Sequence, residues 1–199
     1  MKHKTLIGLC GALFIVLMLN PVFGGSGSLR DFLYEFGNRK PIDSELKVSI
    51  GEPAPDFSLP SVSGTTISLH QFKGEKHVVL SFVPAAWTLA DTGQWAGYNI
   101  SPDVFEQNDA VLLGISVDNI PSLYAWTHQM GGLWFPVLSD FWPHGAVARR
   151  YGVLRSDGTS ERASFIIDRT GIIRAIDVSD INKRPDLGFF ARELKKINE

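Results

Sequence analysis

The chain has one cysteine, Cys10, and it lies in an apolar N-terminal stretch. Counting therefore excludes a cysteine nucleophile, a disulfide framework and a thiolate metal site from the folded part. His70, His77, His128 and His144 stand at intervals that match no standard ligand pair, and no HExxH run occurs, so neither a metal nor a cofactor is expected. His144, within Trp142-Pro143-His144, reads as a turn histidine. Nucleotide binding lacks a GxxxxGKS/T or GxGxxG loop between a strand and a helix, and hydrolase chemistry lacks a GxSxG elbow. Asp91 is the carboxylate best placed for a role of its own. It opens a segment of helical length, where aspartate is a favoured N-cap and the macrodipole adds about 0.3–1 kcal/mol. The five tryptophans, Trp87, Trp95, Trp126, Trp134 and Trp142, read as core or pocket wall.

With 199 residues and 44% apolar side chains, the chain holds one well-packed domain and not two. Nineteen basic against 21 acidic side chains leave no broad electropositive field, so nucleic acid is not an expected partner. Lys2, His3 and Lys4 precede the apolar run Leu6–Leu19, and small residues follow at Gly24 and Gly25. Residues 1–24 therefore read as an export signal, with an uncleaved membrane anchor as the alternative. The protein is expected in the periplasm or secreted, held at the membrane only if the segment is retained. Residues 25–50 read as a linker and an amphipathic extension, with Phe32, Leu33 and Phe36 at helical spacing.

Residues 51–199 carry the elements that must position any site. Phe57–Leu59 and Thr65–Leu69 flank Ser63-Gly64 as a short hairpin. His77–Val83 and Ala110–Val117 are near-continuous apolar runs, the mark of strands covered on both faces. Between them Thr92–Gln107 has the length of a crossover helix, interrupted by Pro102. Pro121–Met130 is a second helix, Ala163–Asp168 and Ile172–Ile176 are strands joined by a tight turn, and Asp186–Ile197 closes as an amphipathic helix. The pattern is an α/β sandwich.

The residues themselves then point to a family. Gly51–Leu59 looks like the opening of a peroxiredoxin of the AhpC/TSA family, and Phe82–Ala90 resembles that family's active-site loop, patterned Pro, three residues, Thr, two residues, Cys. Gly114–Asp118, Phe135–Asp140, Tyr151–Val153 and Arg162–Asp168 follow in the family's order, so the resemblance runs from Gly51 to at least Ile176. Ser139–Val147 is similar to the one-cysteine alkyl hydroperoxide reductase E subtype. The resemblance implies a thioredoxin-like fold of peroxiredoxin type: a central mixed β-sheet flanked by helices, with an N-terminal β-hairpin.

Pro84 and Thr88 match the loop pattern, and the cysteine's position falls on Asp91. Thr88 and Arg162 carry over as the hydroxyl and guanidinium that orient a peroxide. Trp87, Trp142 and His144 are expected to wall the pocket. Peroxide reduction requires a polarisable sulfur that is oxidised to sulfenate and reduced again, which a carboxylate cannot replace. Asp91 is expected to stay ionised beside Arg162, through a contact that could be bidentate. Two readings follow. Either the chain is an exported pseudoenzyme acting as a binding or scaffold module, or the natural protein is a thiol peroxidase and position 91 has been changed in this chain. A homodimer is implied, with Phe141 and Trp142 as interface anchors, and a protein partner in the exporting compartment is the other expectation.

Overall fold

A computed structural model of the chain describes residues 28–183, 186 and 188–198. The export-signal reading, Cys10 and the first part of the linker lie outside the described residues. Seven strands and five α-helices follow in the order β1 (Ser58–Pro60), β2 (Thr66–Ser68), β3 (His77–Phe82), α1 (Leu89–Asn99), α2 (Asp103–Glu106), β4 (Ala110–Ser116), α3 (Ile120–Gln129), β5 (Val137–Ser139), α4 (Ala146–Tyr151), β6 (Arg162–Ile167), β7 (Ile173–Ser179) and α5 (Phe189–Asn198). β1 and β2 form the antiparallel hairpin, and the main sheet has the order β5-β4-β3-β6-β7. β3, β4 and β5 run parallel, joined by helical crossovers, while β6 is antiparallel to β3 and β7 antiparallel to β6. This is the mixed sheet with flanking helices that the family resemblance implies, and it agrees with the α/β pattern of the sequence.

β3 and β6 are buried along their whole length because both faces of the sheet are covered. The period of two then assigns each side chain to a face. Val78, Leu80 and Phe82 of β3, with Ala163, Phe165 and Ile167 of β6, join the core against α4. Val79 and Ile166 join Trp95, Trp126, Phe190 and Leu194 in the core beneath α1, α3 and α5. Arg162, two residues before Ser164 and four before Ile166, is therefore committed to the α1 face. Gly114 is needed on that same face, because a Cβ there would lie 2.8 Å from the Trp95 ring.

Three elements differ from the sequence reading. The segment read as one crossover helix is two, α1 and α2, broken at Ser101-Pro102, where the ring cannot donate and clashes with the preceding turn. β5 and α4 were not read as regular elements, since three and six residues are too short to set up a period. The extension is one 3₁₀ turn, Leu29–Phe32, followed by extended chain. Phe32 is exposed; Val48 joins the core, and backbone and polar contacts hold the rest of the extension: the Tyr34 amide to the Trp87 carbonyl (2.6 Å), the Asp43 amide to Glu161 (2.6 Å) and the Arg39 amide to Asn182 (2.9 Å). Helical spacing of three apolar residues is not enough for a helix here, since so short a segment is stable as a helix only when packing holds it.

Candidate functional site

β3 ends at Phe82 in the middle of the sheet, and the loop Val83–Trp87 carries the chain over its edge into α1. The loop turns sharply at Trp87, a non-glycine residue in the left-handed region (φ 62°). Thr88 is extended and caps α1, its Oγ1 accepting from the Asp91 amide at 3.2 Å. Asp91 is thus not the N-cap that its residue type suggested. It is the third residue of the helix, and from there its carboxylate folds back over the cap.

Each oxygen of that carboxylate has its own partners. Oδ2 accepts from Thr88 Oγ1 at 2.6 Å and from the Ala85 amide at 3.3 Å. Oδ1 accepts from Arg162 Nη2 at 2.6 Å, so the ion pair is single-pronged and not bidentate. The carboxylate has no exposure to solvent and the guanidinium is 2% exposed. The rest of Arg162 is equally committed: Nε donates to Gln94 Oε1 at 3.0 Å, and Nη1 to the carbonyls of Ile181 (2.6 Å) and Lys183 (3.0 Å). Gln94 in turn donates to Ser81 Oγ and Tyr98 Oη. The sequence reading missed Gln94, though its spacing of three from Asp91 puts both on one helix face.

Complete burial pushes the Asp91 carboxyl above its ordinary value, against the Arg162 charge and the Thr88, Arg162 and Ala85 hydrogen bonds that pull it down. Sequence reasoning had every influence favouring the ionised form. The opposing one is desolvation, which depends on how deeply α1 is sunk against the sheet.

A cavity of about 320 Å³ opens beside this cluster, lined by Thr88, Leu89, Ala90 and Arg162 on the domain side and by residues 34–37 of the extension on the other. Pro84 is buried at the start of the loop. Trp87, Trp142 and His144, expected as pocket wall, do not line this cavity. Trp87 packs against the core beneath α1 and α3, and Trp142 is 82% exposed in the turn between β5 and α4. The His144 ring is hydrogen bonded through Nε2 to the Gly158 carbonyl at 2.6 Å. Among the described residues no group of three or more His, Cys, Asp and Glu side chains is arranged to hold a metal ion.

The geometry can be set beside known proteins. Residues 50–176 match the AhpC/TSA family. Alkyl hydroperoxide reductase E of Mycobacterium tuberculosis is 40% identical over 128 residues, covering 64% of this chain and 83% of the relative. Peroxiredoxin-1 of Gallus gallus is 34% identical over 149 residues, covering 69% of this chain and 73% of the relative. The reduced 2-Cys peroxiredoxin of Plasmodium vivax superposes with a TM-score of 0.70 at 27% identity, over 76% of this chain and 82% of that one. Family match, sequence relatives and thioredoxin-like architecture agree, and the chain belongs to the AhpC/TSA family of peroxiredoxins.

Proposed function

We propose that this chain is a non-catalytic member of its family, a binding or scaffold module whose anion site is occupied by its own Asp91 carboxylate. One observation carries the reading: the buried carboxylate bridges Arg162 and Thr88 at 2.6 Å each, at the place where the loop pattern from Pro84 onward puts a cysteine. The relatives' names describe hydroperoxide reduction. That chemistry breaks the O–O bond by transferring one oxygen to a thiolate, and it needs the guanidinium and hydroxyl free to hold the peroxide. Here residues 28–199 contain no sulfur nucleophile, and both groups are bonded to Asp91.

A second reading is favoured by the way Thr88 and Arg162 still converge on position 91: the natural protein is a thiol peroxidase and this chain has lost its nucleophile. A cysteine codon at position 91 of the source gene selects that reading. The biochemical test incubates the protein with hydrogen peroxide or an organic hydroperoxide, without reductant to measure stoichiometry and, separately, with a thiol reductant to look for turnover. The chain as sequenced is expected to consume no peroxide, and Asp91→Cys to consume about one equivalent and form a sulfenate that a dimedone reagent traps. Metal-free turnover by the unaltered protein overturns the non-catalytic assignment. A folded Asp91→Cys protein that does neither overturns the assignment of Thr88 and Arg162.

Export and self-association belong to the same proposal. The basic start and apolar run of residues 1–24 support export with cleavage near Gly24, and N-terminal sequencing of the mature protein checks it. The exposed Phe141 and Trp142 support a homodimer surface, checked by light scattering of Trp142→Ala.

A further inference from the structure

A second cavity, of about 220 Å³, lies at the opposite end of β3 from Asp91. β3 enters the sheet at His77 and Val78 there, and the cavity is closed by the 3₁₀ turn Leu69–Phe72 and by the β6–β7 turn through Asp168 and Gly171. Its floor is apolar: Leu69, Val78 and Ile167 are buried beneath it, with Phe72 and Ile172 as half-buried walls. An apolar cavity of about 150 Å³ accepts a benzene ring, so this one has room for a ring and a short substituent.

The polar groups at its mouth select the charge of that substituent. Asp56 accepts from the His70 amide and from His70 Nδ1 at 2.9–3.0 Å. Asp168 is engaged by Arg174 and by Thr170 and Ile172. Both carboxylates are therefore already neutralised or hydrogen bonded. Lys76 faces Asp109 at a distance of 3.6 Å. Lys73 lines the cavity, its Cδ and Cε lying 3.8 Å from where a Gly171 Cβ would stand, and among the described residues its ammonium has no carboxylate partner. An apolar floor with one uncommitted cation at its mouth is built for a flat apolar body that ends in a negative charge.

We propose that this cavity is a binding site for a small aromatic carboxylate, its ring on Val78, Ile167 and Leu69 and its carboxylate on Lys73. The site is independent of the Asp91 cluster, and its failure leaves the reading of that cluster untouched. The test titrates the intact chain, with labelled valine and isoleucine methyls, against phenylacetate and its neutral isostere phenylacetamide. Phenylacetate is expected to shift the Val78, Ile167 and Ile172 methyls saturably, and phenylacetamide to bind the same methyls about threefold more weakly. Lys73→Gln is expected to abolish that difference and Lys73→Arg to keep it. Ala54→Phe, which fills the cavity from its wall, is expected to abolish both. The proposal is overturned by an absence of shifts in the unaltered chain at about 20 mM ligand, by shifts centred on Thr88 and Arg162 instead, or by equal binding of the two ligands. It is likewise overturned if Lys73→Gln leaves the preference intact. Should Ala54→Phe fail to fold, the methyl shifts and the Lys73 pair decide by themselves.

Discussion

Arg162→Met is the perturbation that most directly tests how the Asp91 cluster is held. The substitution keeps the length and apolar bulk of the side chain and removes every donor. Asp91 loses the one cationic partner it has among the described residues, and the acceptors on Gln94, Ile181 and Lys183 lose theirs. Removing one partner of a buried ion pair costs about 3–5 kcal/mol, most of it the penalty of the charge left behind. The Lys183 carbonyl lies at the surface and recovers water, so the loss should sit within that range and not above it. For a domain whose total stability is on the order of 5–15 kcal/mol, this lowers the melting temperature by about 6–20 °C. Asp91→Asn keeps the shape, leaves the guanidinium without a counter-charge and should cost a similar amount. The double variant should cost about 2–3 kcal/mol less than the sum, because the second change removes a group that the first had already stranded. In Arg162→Met the buried carboxyl is raised further, so it binds a proton more readily folded than unfolded. Such a group favours the folded state below its unfolded value and loses that effect as pH rises through the folded one. The variant should therefore recover stability on acidification from pH 7 towards pH 5, by at most about 1.4 kcal/mol per unit. Urea denaturation of the four proteins at both pH values measures all of this. Single variants that each cost under about 1 kcal/mol and add without coupling would refute the claim that the pair organises the site.

Two further outcomes are expected. Gly152→Ala should destabilise by about 3 kcal/mol or more in thermal unfolding, because the residue sits at φ 76° and its Cβ would stand 2.2 Å from the Glu45 carbonyl oxygen, a backbone atom that cannot swing aside. At Asp168, burial raises the carboxyl, but hydrogen bonds from Thr170, Ile172 and Arg174 outweigh it and hold it at about 2. Its stabilisation is therefore present above the unfolded value near 4 and lost as pH falls through about 2, so the deficit of Asp168→Asn, on the order of 2 kcal/mol at pH 7, should vanish in denaturation curves taken near pH 2.

The apolar runs at His77–Val83 and Ala110–Val117 were enough to identify two central strands, since a strand covered on both faces admits almost nothing polar. Pro102 marked where the crossover helix breaks, because its ring acts on its own chain whatever surrounds it. The order of segments from Gly51 to Ile176 was likewise legible, and with it the family. Thr88, Asp91 and Arg162 could be named as a group from that resemblance, and period-two geometry puts Arg162 on the face that α1 covers. Spacing failed where long-range packing decides. The cap passed from Asp91 to Thr88 because the loop enters α1 extended, and Trp87 left the pocket for the core. The extension became a strap because its backbone found partners at Trp87, Asn182 and Glu161, which are remote in sequence. Residue types and their local order thus determined the strands, the helix break and the absence of a cysteine thiol from residues 28–199. The depth of Asp91, its single-pronged bond to Arg162, the role of Gln94 and the second cavity were decided only by the tertiary structure, since burial and convergence depend on which distant segments close over a residue.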